Sequence, residues 1–389
     1  MEQFVQSFDH HTIFFRDHFY NVLKRVAGEE SLLRSNVYDG GFSVVTSYEL
    51  MTKICFDTEN FSNAPGSRVV PRSTMPLLMP SDLDPPVHGA FRKLLNQYFT
   101  PKSIAAFTEV VGADIREILA AALHKGELDI VTDLGQPVTG KFTMRLLGLP
   151  VEDWAEYSMP IHRAAFCIGP VEQRIAGGMA FAVRVRSEIE RLAKLADAPG
   201  LIPILLSSSV DGRKLTIDEI QAIVMNLIIG GLDTTQAVIG CTSVFLARNP
   251  DRRAELARHP ERISGAVTEF LRIFGSAPMT GRDVVRDCEV DGHAFRAGHP
   301  VLLFWTAASF DPAFVKQPFD VDFTRGANRM GTFAFGPHHC LGNQFARMEL
   351  GQMLKAIVEL DRFDVIEERL RIADNVSSTL AFLEVPVGI

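Results

Sequence analysis

The chain has 389 residues, of which 47% are hydrophobic and 22% charged, as in an ordinary globular protein. Its formal net charge of −8 at pH 7 argues against nucleic acid or an anionic membrane as its main partner. The five cysteines are dispersed, which suits reduced thiols, and the N-terminus shows no signal peptide. We therefore expect a cytoplasmic protein.

Apolar residues recur at intervals of three and four along most of the chain, a periodicity that predicts α-helices. The predicted helices span residues 101–124, 179–196, 217–247, 262–274 and 343–360. Aromatic and β-branched clusters predict short strands at 41–46 and around 287–305. Because no repeat or linker divides the chain, we expect one domain over residues 1–389, mainly α with minor β.

A first candidate ligand-binding pair follows two prolines in the sequence DPPVHGAFR. A helix that begins after Pro86 would place His88 and Arg92 four residues apart on one face. Nitrogen donors so spaced suit a pair of carboxylates on a ligand. A solvated helix face is the alternative.

The helix predicted over 217–247 has a defined start and stop. Thr216 and Glu219 form the T-x-x-E pattern of a capping box, and Asn249 with Pro250 ends the helix. Its apolar length admits a transmembrane interpretation. Asp233 near its middle would be costly in lipid, so we expect a helix buried in a protein core and no membrane span.

Within this helix the sequence GGLDTT is unusual. Gly230 and Gly231 each destabilise a helix by about 1 kcal/mol relative to alanine, but they let another group approach its backbone. Thr234 can donate a hydrogen bond to the carbonyl of Gly230. Two interpretations stay open: a close helix–helix contact beside a satisfied Asp233, or a ligand lying against the helix beside an acid–alcohol pair.

The sequence EFLR places Glu269 and Arg272 three residues apart on one helix face. Apolar neighbours indicate that the pair is buried, and a buried ion pair needs further hydrogen-bond partners. Taken alone, the pair indicates a structural role.

The sequence FAFGPHHCLGNQ, residues 333–344, surrounds Cys340 with glycine, proline and histidine. A structural zinc site needs four ligands, and His338 and Cys340 supply two. A catalytic thiol needs a base, and neither His338 nor His339 is excluded from that role. A thiolate ligand of haem iron would explain the glycine and aromatic surroundings. A buried structural cysteine is the fourth interpretation.

Taken together in their order along the chain, these motifs resemble those of the bacterial cytochrome P-450 family, the haem-thiolate monooxygenases. FAFGPHHCLG resembles the family's F-x-x-G-x-H/R-x-C-x-G loop, EFLR its E-x-x-R pair, and GGLDTT its A/G-G-x-D/E-T groove. The resemblance covers nearly the whole chain. It implies the cytochrome P-450 fold, with a long central helix over a buried haem.

The resemblance also implies roles for individual residues. Cys340 would be the proximal ligand of the haem iron, and Asp233 and Thr234 would be the catalytic acid–alcohol pair. Further cofactor-binding residues would be His88, Arg92, Arg282, His338, Phe333, Gly342, Gly230 and Gly231. A structural lock would comprise Glu269, Arg272 and Arg325. The substrate pocket would include Met79, Asn226, Ile229, Ala277, Met279 and Leu380.

The sequence departs from the family pattern in places. Ala334 stands where glycine or another small polar residue is common, and Pro337 where glycine is frequent, which predicts a stiffer loop. Met330 stands where many bacterial members have histidine, which leaves Arg329 as a substitute haem contact.

The implied activity is hydroxylation of a small hydrophobic molecule, terpenoid-like or aromatic, with O2 and haem b (iron protoporphyrin IX). Electrons would pass from NAD(P)H through a ferredoxin reductase and an iron–sulfur ferredoxin to a monomeric enzyme. The expected docking charges are Arg92, Lys93, Arg329 and Arg347. Arg68 or Arg72 would be the contact for a substrate carboxylate, if the substrate has one. A haem sensor and a thiol hydrolase are the alternatives from other classes.

Overall fold

The structure is a computed structural model that describes residues 4–5, 7–38, 40–64, 76–195, 197–326, 329–374 and 379–389. Arg68 and Arg72 lie outside these residues. The α-helices of the described chain are α1 Ile13–Asp17, α2 Phe19–Val26, α3 Tyr48–Phe56, α4 Val87–Asn96, α5 Pro101–Leu123, α6 Gln136–Leu147, α7 Trp154–Ala165, α8 Val171–Leu192, α9 Leu201–Ser207, α10 Ile217–Arg248, α11 Pro250–Arg258, α12 Ile263–Ile273, α13 Trp305–Ser309 and α14 Asn343–Val358.

The strands are short. They are β1 Leu32–Ser35, β2 Phe42–Val45, β3 Phe61–Ser62, β4 Glu127–Asp129, β5 Ser209–Val210, β6 Arg213–Lys214, β7 Met279–Val284, β8 Cys288–Val290, β9 His293–Phe295, β10 Pro300–Phe304, β11 Asp364–Val365, β12 Arg371–Ile372, β13 Phe382–Glu384 and β14 Pro386–Gly388. A π-helical segment, Ile130–Gly135, joins β4 to α6, and 3-10 turns occur at Val151–Asp153, Pro260–Arg262, Gly336–His338 and Glu367–Arg369.

The chain forms two compact units, each assembled from three separate stretches. The first unit comprises residues 1–92, 269–341 and 374–380, and the second comprises 93–268, 342–373 and 381–389. The chain passes between the units within α4 and within α12. The single domain over residues 1–389 stays a prediction.

The first unit is built on a five-stranded sheet in the order β1-β2-β10-β7-β3. Strands β2 and β10 run parallel, and the other neighbours are antiparallel. All four residues of β2 are buried, which explains why its sequence, FSVV, is mostly apolar rather than alternating. Phe8, Phe15, Phe19 and Phe304 form the aromatic centre of one core cluster beside the sheet.

The second unit is mainly helical, and α10 is its longest element. The predicted capping box is confirmed: Thr216 Oγ1 accepts from the Glu219 amide, and the Glu219 carboxylate accepts from the Thr216 amide. The helix packs against α6, α8 and α14 of the same unit. By length and composition it is the one helix of the described residues that could cross a membrane, but 61% of its apolar window is buried within the fold.

Most predicted elements are confirmed within a few residues, and the fold is mainly α with minor β as expected. Helix α8 is the main exception, because it begins at Val171 rather than at 179. Val171 and Ile175 in its first turns are 53% and 59% exposed. Gly177 and Gly178 directly precede residue 179, and glycine is unfavourable in a helix interior, so the predicted helix began too late.

Candidate active site

The thiol loop, residues 333–341 of the first unit, is closed by its own backbone. The Cys340 amide donates to the Phe333 carbonyl at 2.8 Å, and the His339 amide donates to the Gly336 carbonyl at 3.1 Å. Phe335 packs between Tyr48 and Trp305, with ring centroids 4.8 and 5.8 Å away. The loop therefore holds a half-buried cysteine in a fixed backbone frame on an aromatic base.

Two residues of the loop have left-handed backbone conformations. Gly336 has φ +66°, and a Cβ there would stand 2.8 Å from the carbonyl oxygen of Cys55. Ala334 has φ +58°, although it carries a side chain. Its position is the one where the family commonly has glycine, so the departure seen in the sequence falls on strained backbone.

Four nitrogen-bearing side chains of the first unit lie beside this loop. We call His88, Arg92, Arg282 and His338 the basic cluster. The rings of His88 and His338 are 4.1 Å apart between centroids, and Asn63 Nδ2 lies 3.0 Å from His338 Nδ1. His88 comes from α4, Arg282 from β7 and His338 from the 3-10 turn of the loop. The fold thus gathers residues that are far apart in the sequence.

Burial makes positive charge unfavourable throughout the basic cluster. Burial and the charge of Arg92 lower the pKa of His88 to about 4. Burial, with the charges of His88, Arg282 and Arg92, lowers the pKa of His338 to about 3. Burial also lowers the pKa of Arg92 and of Arg282. Both guanidiniums still carry charge, so the cluster favours an anionic partner.

This donor set fits the two carboxylates of haem b. Two guanidiniums, that of Arg282 buried and that of Arg92 half-buried, and two imidazoles can give charge-assisted hydrogen bonds to carboxylates. Asp84 is the acidic neighbour of Arg282 and His88, but its oxygens already accept from Ser62 Oγ and the Asn63 amide. The charge of Cys340 acts to raise the pKa of Arg92, which shows that the thiol lies near the basic cluster. The site therefore fits an iron porphyrin held through a thiolate.

The E-x-x-R pair belongs to the same unit. Arg272 is fully buried, and it donates to both oxygens of Glu269 at 2.8 and 2.9 Å. Arg325 Nε adds a bond at 3.1 Å to Glu269 Oε1. Burial acts to raise the pKa of Glu269, but Arg272 and the other donors outweigh it and lower that pKa. The structure thus brings together the three residues expected to form a lock.

In the second unit, Asp233 faces the interior. Its Oδ1 lies 2.8 Å from His162 Nδ1 of α7 and 2.9 Å from Gln236 Nε2. Its side chain is 6% exposed, and Oδ2 has no partner among the described residues. The sequence did not reveal His162 as a partner, because α7 and α10 are distant in the chain. Gln236 follows Asp233 by three residues on the same helix, a spacing that could have revealed it.

Thr234 and the two glycines of α10 have different surroundings. Thr234 Oγ1 donates to the Gly230 carbonyl at 2.8 Å, as expected, while the helix stays α-helical there. A Cβ on Gly231 would stand 3.1 Å from Thr143 Oγ1 of α6, whereas one on Gly230 would meet open space. Gly231 therefore serves a helix–helix contact, and Gly230 alone leaves room for a ligand.

Several other residues expected in the site are packed within the protein or have an ordinary backbone conformation. Met279 is 5% exposed and belongs to the same core cluster as Phe304, against which Leu380 packs. This burial indicates core packing rather than a free pocket wall. Gly342 caps α14 with φ −84°, so its conformation does not require glycine. Met79 is buried, and Ala277, Asn226 and Ile229 are half-buried.

The four expected docking charges differ in their exposure to solvent. Lys93 and Arg329 are exposed, and Arg92 is half-buried in the basic cluster. The Arg329 guanidinium lies over the rings of Phe314 and Tyr48, at 5.0 and 5.8 Å. Arg347 is half-buried and donates to Thr268 Oγ1 at 2.8 Å, which does not suit an exposed docking charge.

Comparison with known proteins agrees with this site. Residues 179–386 match the family model described as Cytochrome P450. The chain is 30% identical over 325 residues to a steroid C26-monooxygenase of Mycobacterium tuberculosis (strain CDC 1551 / Oshkosh), covering 82% of this chain and 86% of that protein. It is also 30% identical over 330 residues to cytochrome P450 130 of the same strain, covering 81% and 80%.

Solved structures show the same fold. CalO2 superposes with a TM-score of 0.87 at 21% identity, covering 99% of both chains. CYP101J2 superposes with a TM-score of 0.84 at 26% identity, covering 98% of this chain and 96% of its own. The chain therefore belongs to the cytochrome P450 family, and it is a cytochrome P450 monooxygenase. Members of this family contain haem and use O2 with NAD(P)H-derived electrons.

Proposed function

We propose that this enzyme hydroxylates a small hydrophobic molecule, terpenoid-like or aromatic, with Cys340 as the ligand of its haem iron. The basic cluster beside the thiol loop carries the proposal, because the cations Arg92 and Arg282 and the imidazoles of His88 and His338 suit the two carboxylates of haem b. When bound, the haem would activate oxygen, with the thiolate donating electron density to the iron.

The protein's own residues would orient the cofactor and manage protons. The basic cluster would fix the haem carboxylates, and Phe333 with Phe335 would shield the sulfur from water. Because the Thr234 hydroxyl donates its hydrogen to the Gly230 carbonyl, its oxygen can accept a hydrogen bond from another group. Asp233, with one oxygen without a partner among the described residues, would hold and release a proton. Glu269, Arg272 and Arg325 would keep the first unit rigid beneath the loop.

The test is the absorbance spectrum of the purified protein, reduced and exposed to carbon monoxide. We expect the red-shifted Soret band from which the family takes its name. Cys340→Ser should abolish this band. Cys167→Ser, which changes an exposed cysteine, should leave it intact. A band typical of histidine ligation in the unaltered protein would contradict the proposal.

The substrate class can be tested by titrating the oxidised protein with camphor, naphthalene and cholesterol. We expect camphor or naphthalene to shift the haem spin state, because the expected pocket residues are mostly apolar. Cholesterol represents the class named by the steroid C26-monooxygenase relative. A shift with cholesterol alone would replace the proposed substrate class with steroids.

We further propose a cytoplasmic monomer that receives electrons from an iron–sulfur ferredoxin. Arg329 is exposed and belongs to the same unit as Cys340, so it is the docking charge to test. Arg329→Glu should slow ferredoxin-dependent reduction at low salt, and high salt should remove the difference. Arg286→Glu makes the same charge change at another exposed site of that unit. Equal rates for both variants would exclude Arg329 from docking.

A further inference from the structure

The carboxyl group of Asp233 is bound asymmetrically by side chains of the second unit. Both donors, His162 Nδ1 at 2.8 Å and Gln236 Nε2 at 2.9 Å, meet the same oxygen, Oδ1. Oδ2 is buried and has no partner among the described residues. The two oxygens of one carboxyl group therefore have different chemical surroundings.

A third helix beside Asp233, α6, supplies a neighbour to the other ring nitrogen of His162. Gln136 Nε2 of α6 lies 3.4 Å from His162 Nε2. If the Gln136 amide donates to Nε2, the ring carries its hydrogen on Nδ1, which points at Asp233. His162 is 5% exposed and its ring packs edge-on against Phe166 at 4.9 Å between centroids. The imidazole is thus held in one orientation. Its 2.8 Å contact with the Asp233 carboxylate favours a hydrogen on Nδ1, and Gln236 Nε2 lies 3.3 Å from the same nitrogen.

We propose that His162 is a positioning residue for proton delivery: with Gln236 it occupies Oδ1 of Asp233 and so directs proton uptake and release to Oδ2. This inference rests on the proposed function, since it takes Asp233 as the proton donor of the monooxygenase. His162 is not itself a catalytic residue, because it acts only through Asp233.

The proton balance is simple. An oxygen that already accepts two N–H bonds is a poor site for a proton, so a protonated Asp233 carries its hydrogen on Oδ2. That proton passes from Oδ2 to the oxygen that is being reduced, and solvent then returns a proton to Oδ2. His162 keeps its Nδ1 hydrogen throughout. Without His162 the carboxyl can turn, and the proton is no longer presented in one direction.

Two substitutions of His162 separate positioning from packing. His162→Leu removes the donor, whereas His162→Asn keeps an N–H donor close to the original Nδ1 position. Ser158→Ala is the matched control, because Ser158 is a buried polar residue one turn earlier on α7 that bonds only within its helix, to the Trp154 carbonyl. Gln236→Met removes the second donor and serves as an independent variant should His162→Leu fail to fold.

The measurement is a single turnover followed through the haem spectrum. Reduced protein, saturated with camphor or naphthalene, whichever shifts its spin state, is mixed with oxygen and one equivalent of a one-electron reductant. The return to the oxidised resting spectrum is timed in H2O and in D2O. We expect His162→Leu to be slowed by about tenfold or more, with a larger D2O effect. This is less than the roughly 10²–10⁴-fold that a positioned acid contributes, because Asp233 itself remains. His162→Asn should recover most of the rate, Gln236→Met should be slowed, and Ser158→Ala should match the unaltered protein.

The outcomes are distinguishable. If the unaltered protein lacks the red-shifted carbon monoxide band, the proposed function itself fails. If the band is present in all variants and His162→Leu keeps the original rate and D2O effect, only the role of His162 is refuted. Should His162→Leu fail to fold, an unchanged rate and D2O effect in Gln236→Met refutes it instead. A His162→Asn protein as slow as His162→Leu would likewise refute positioning through the N–H donor.

Discussion

Ala334 departs from the family's sequence pattern and also has an unusual backbone conformation. It has φ +58°, where a Cβ costs about 1–2 kcal/mol. Ala334→Gly removes that strain and loses a half-buried methyl group, so we expect the free energy of unfolding to rise by up to about 1 kcal/mol. Urea unfolding of both proteins measures the difference.

A control shows whether the gain comes from the backbone angle. Ala297 is exposed and lies outside the left-handed region, so Ala297→Gly should destabilise by about 0.5–1 kcal/mol through the flexibility of the unfolded chain. The same sign of change at both positions would show that the angle at Ala334 is not the cause.

Glu349 is a buried acid on α14 whose Oε1 has no partner among the described residues. Burial raises the pKa of this carboxyl well above its ordinary value. Above the ordinary pKa of about 4.5 the unfolded chain releases the proton that the folded protein keeps, so stability falls as pH rises, by about 1.4 kcal/mol per pH unit. This fall continues until the folded pKa is reached.

Glu349→Gln should remove this part of the pH dependence. We expect the variant to gain on the unaltered protein steadily as the pH is raised from 5 toward 8, in unfolding curves measured at each pH. Glu359→Gln removes an exposed carboxyl at the end of the same helix and controls for loss of a charge. Parallel pH profiles for Glu349→Gln and the unaltered protein would mean that Glu349 is not held neutral.

Helix α10 owes its defined start to the capping box. Thr216→Ala leaves the Glu219 amide without its side-chain acceptor, so we expect a loss of about 1 kcal/mol in unfolding free energy. Thr108→Ala is the contrast, because Thr108 lies inside α5 and only bonds back to the Ile104 carbonyl. Alanine favours a helix interior, so that variant should be neutral or more stable. Equal losses in the two variants would argue against a specific cap.

The two compact units can be followed separately because each holds one of the two tryptophans, Trp305 in the first and Trp154 in the second. If residues 1–389 unfold as one domain, Trp154→Phe and Trp305→Phe proteins should each show the same midpoint by fluorescence and by far-UV circular dichroism. Each variant serves as its own control. A fluorescence midpoint that departs from the circular dichroism midpoint would show that one unit unfolds independently.

Patterns local in the chain were predicted well. The helices at 101–124, 217–247 and 343–360 and the strand at 41–46 depend on periodicity and caps that neighbouring residues supply. The surroundings of the expected pocket and cofactor residues lie beyond such patterns: Met279 belongs to a core cluster, and Gly231 makes room for Thr143. Whether an apolar residue lines a cavity or fills a core depends on the elements packed against it, which no local pattern encodes.

By itself the sequence determined the family motifs, the mainly α fold and the long capped helix, because each rests on residues close together in the chain. Only the tertiary structure decided that the ring of His88 lies against that of His338 and that His162 binds one oxygen of Asp233. These contacts join residues separated by 250 and 71 positions. Their formation depends on how helices and strands pack, because burial and donor geometry are set by the whole fold.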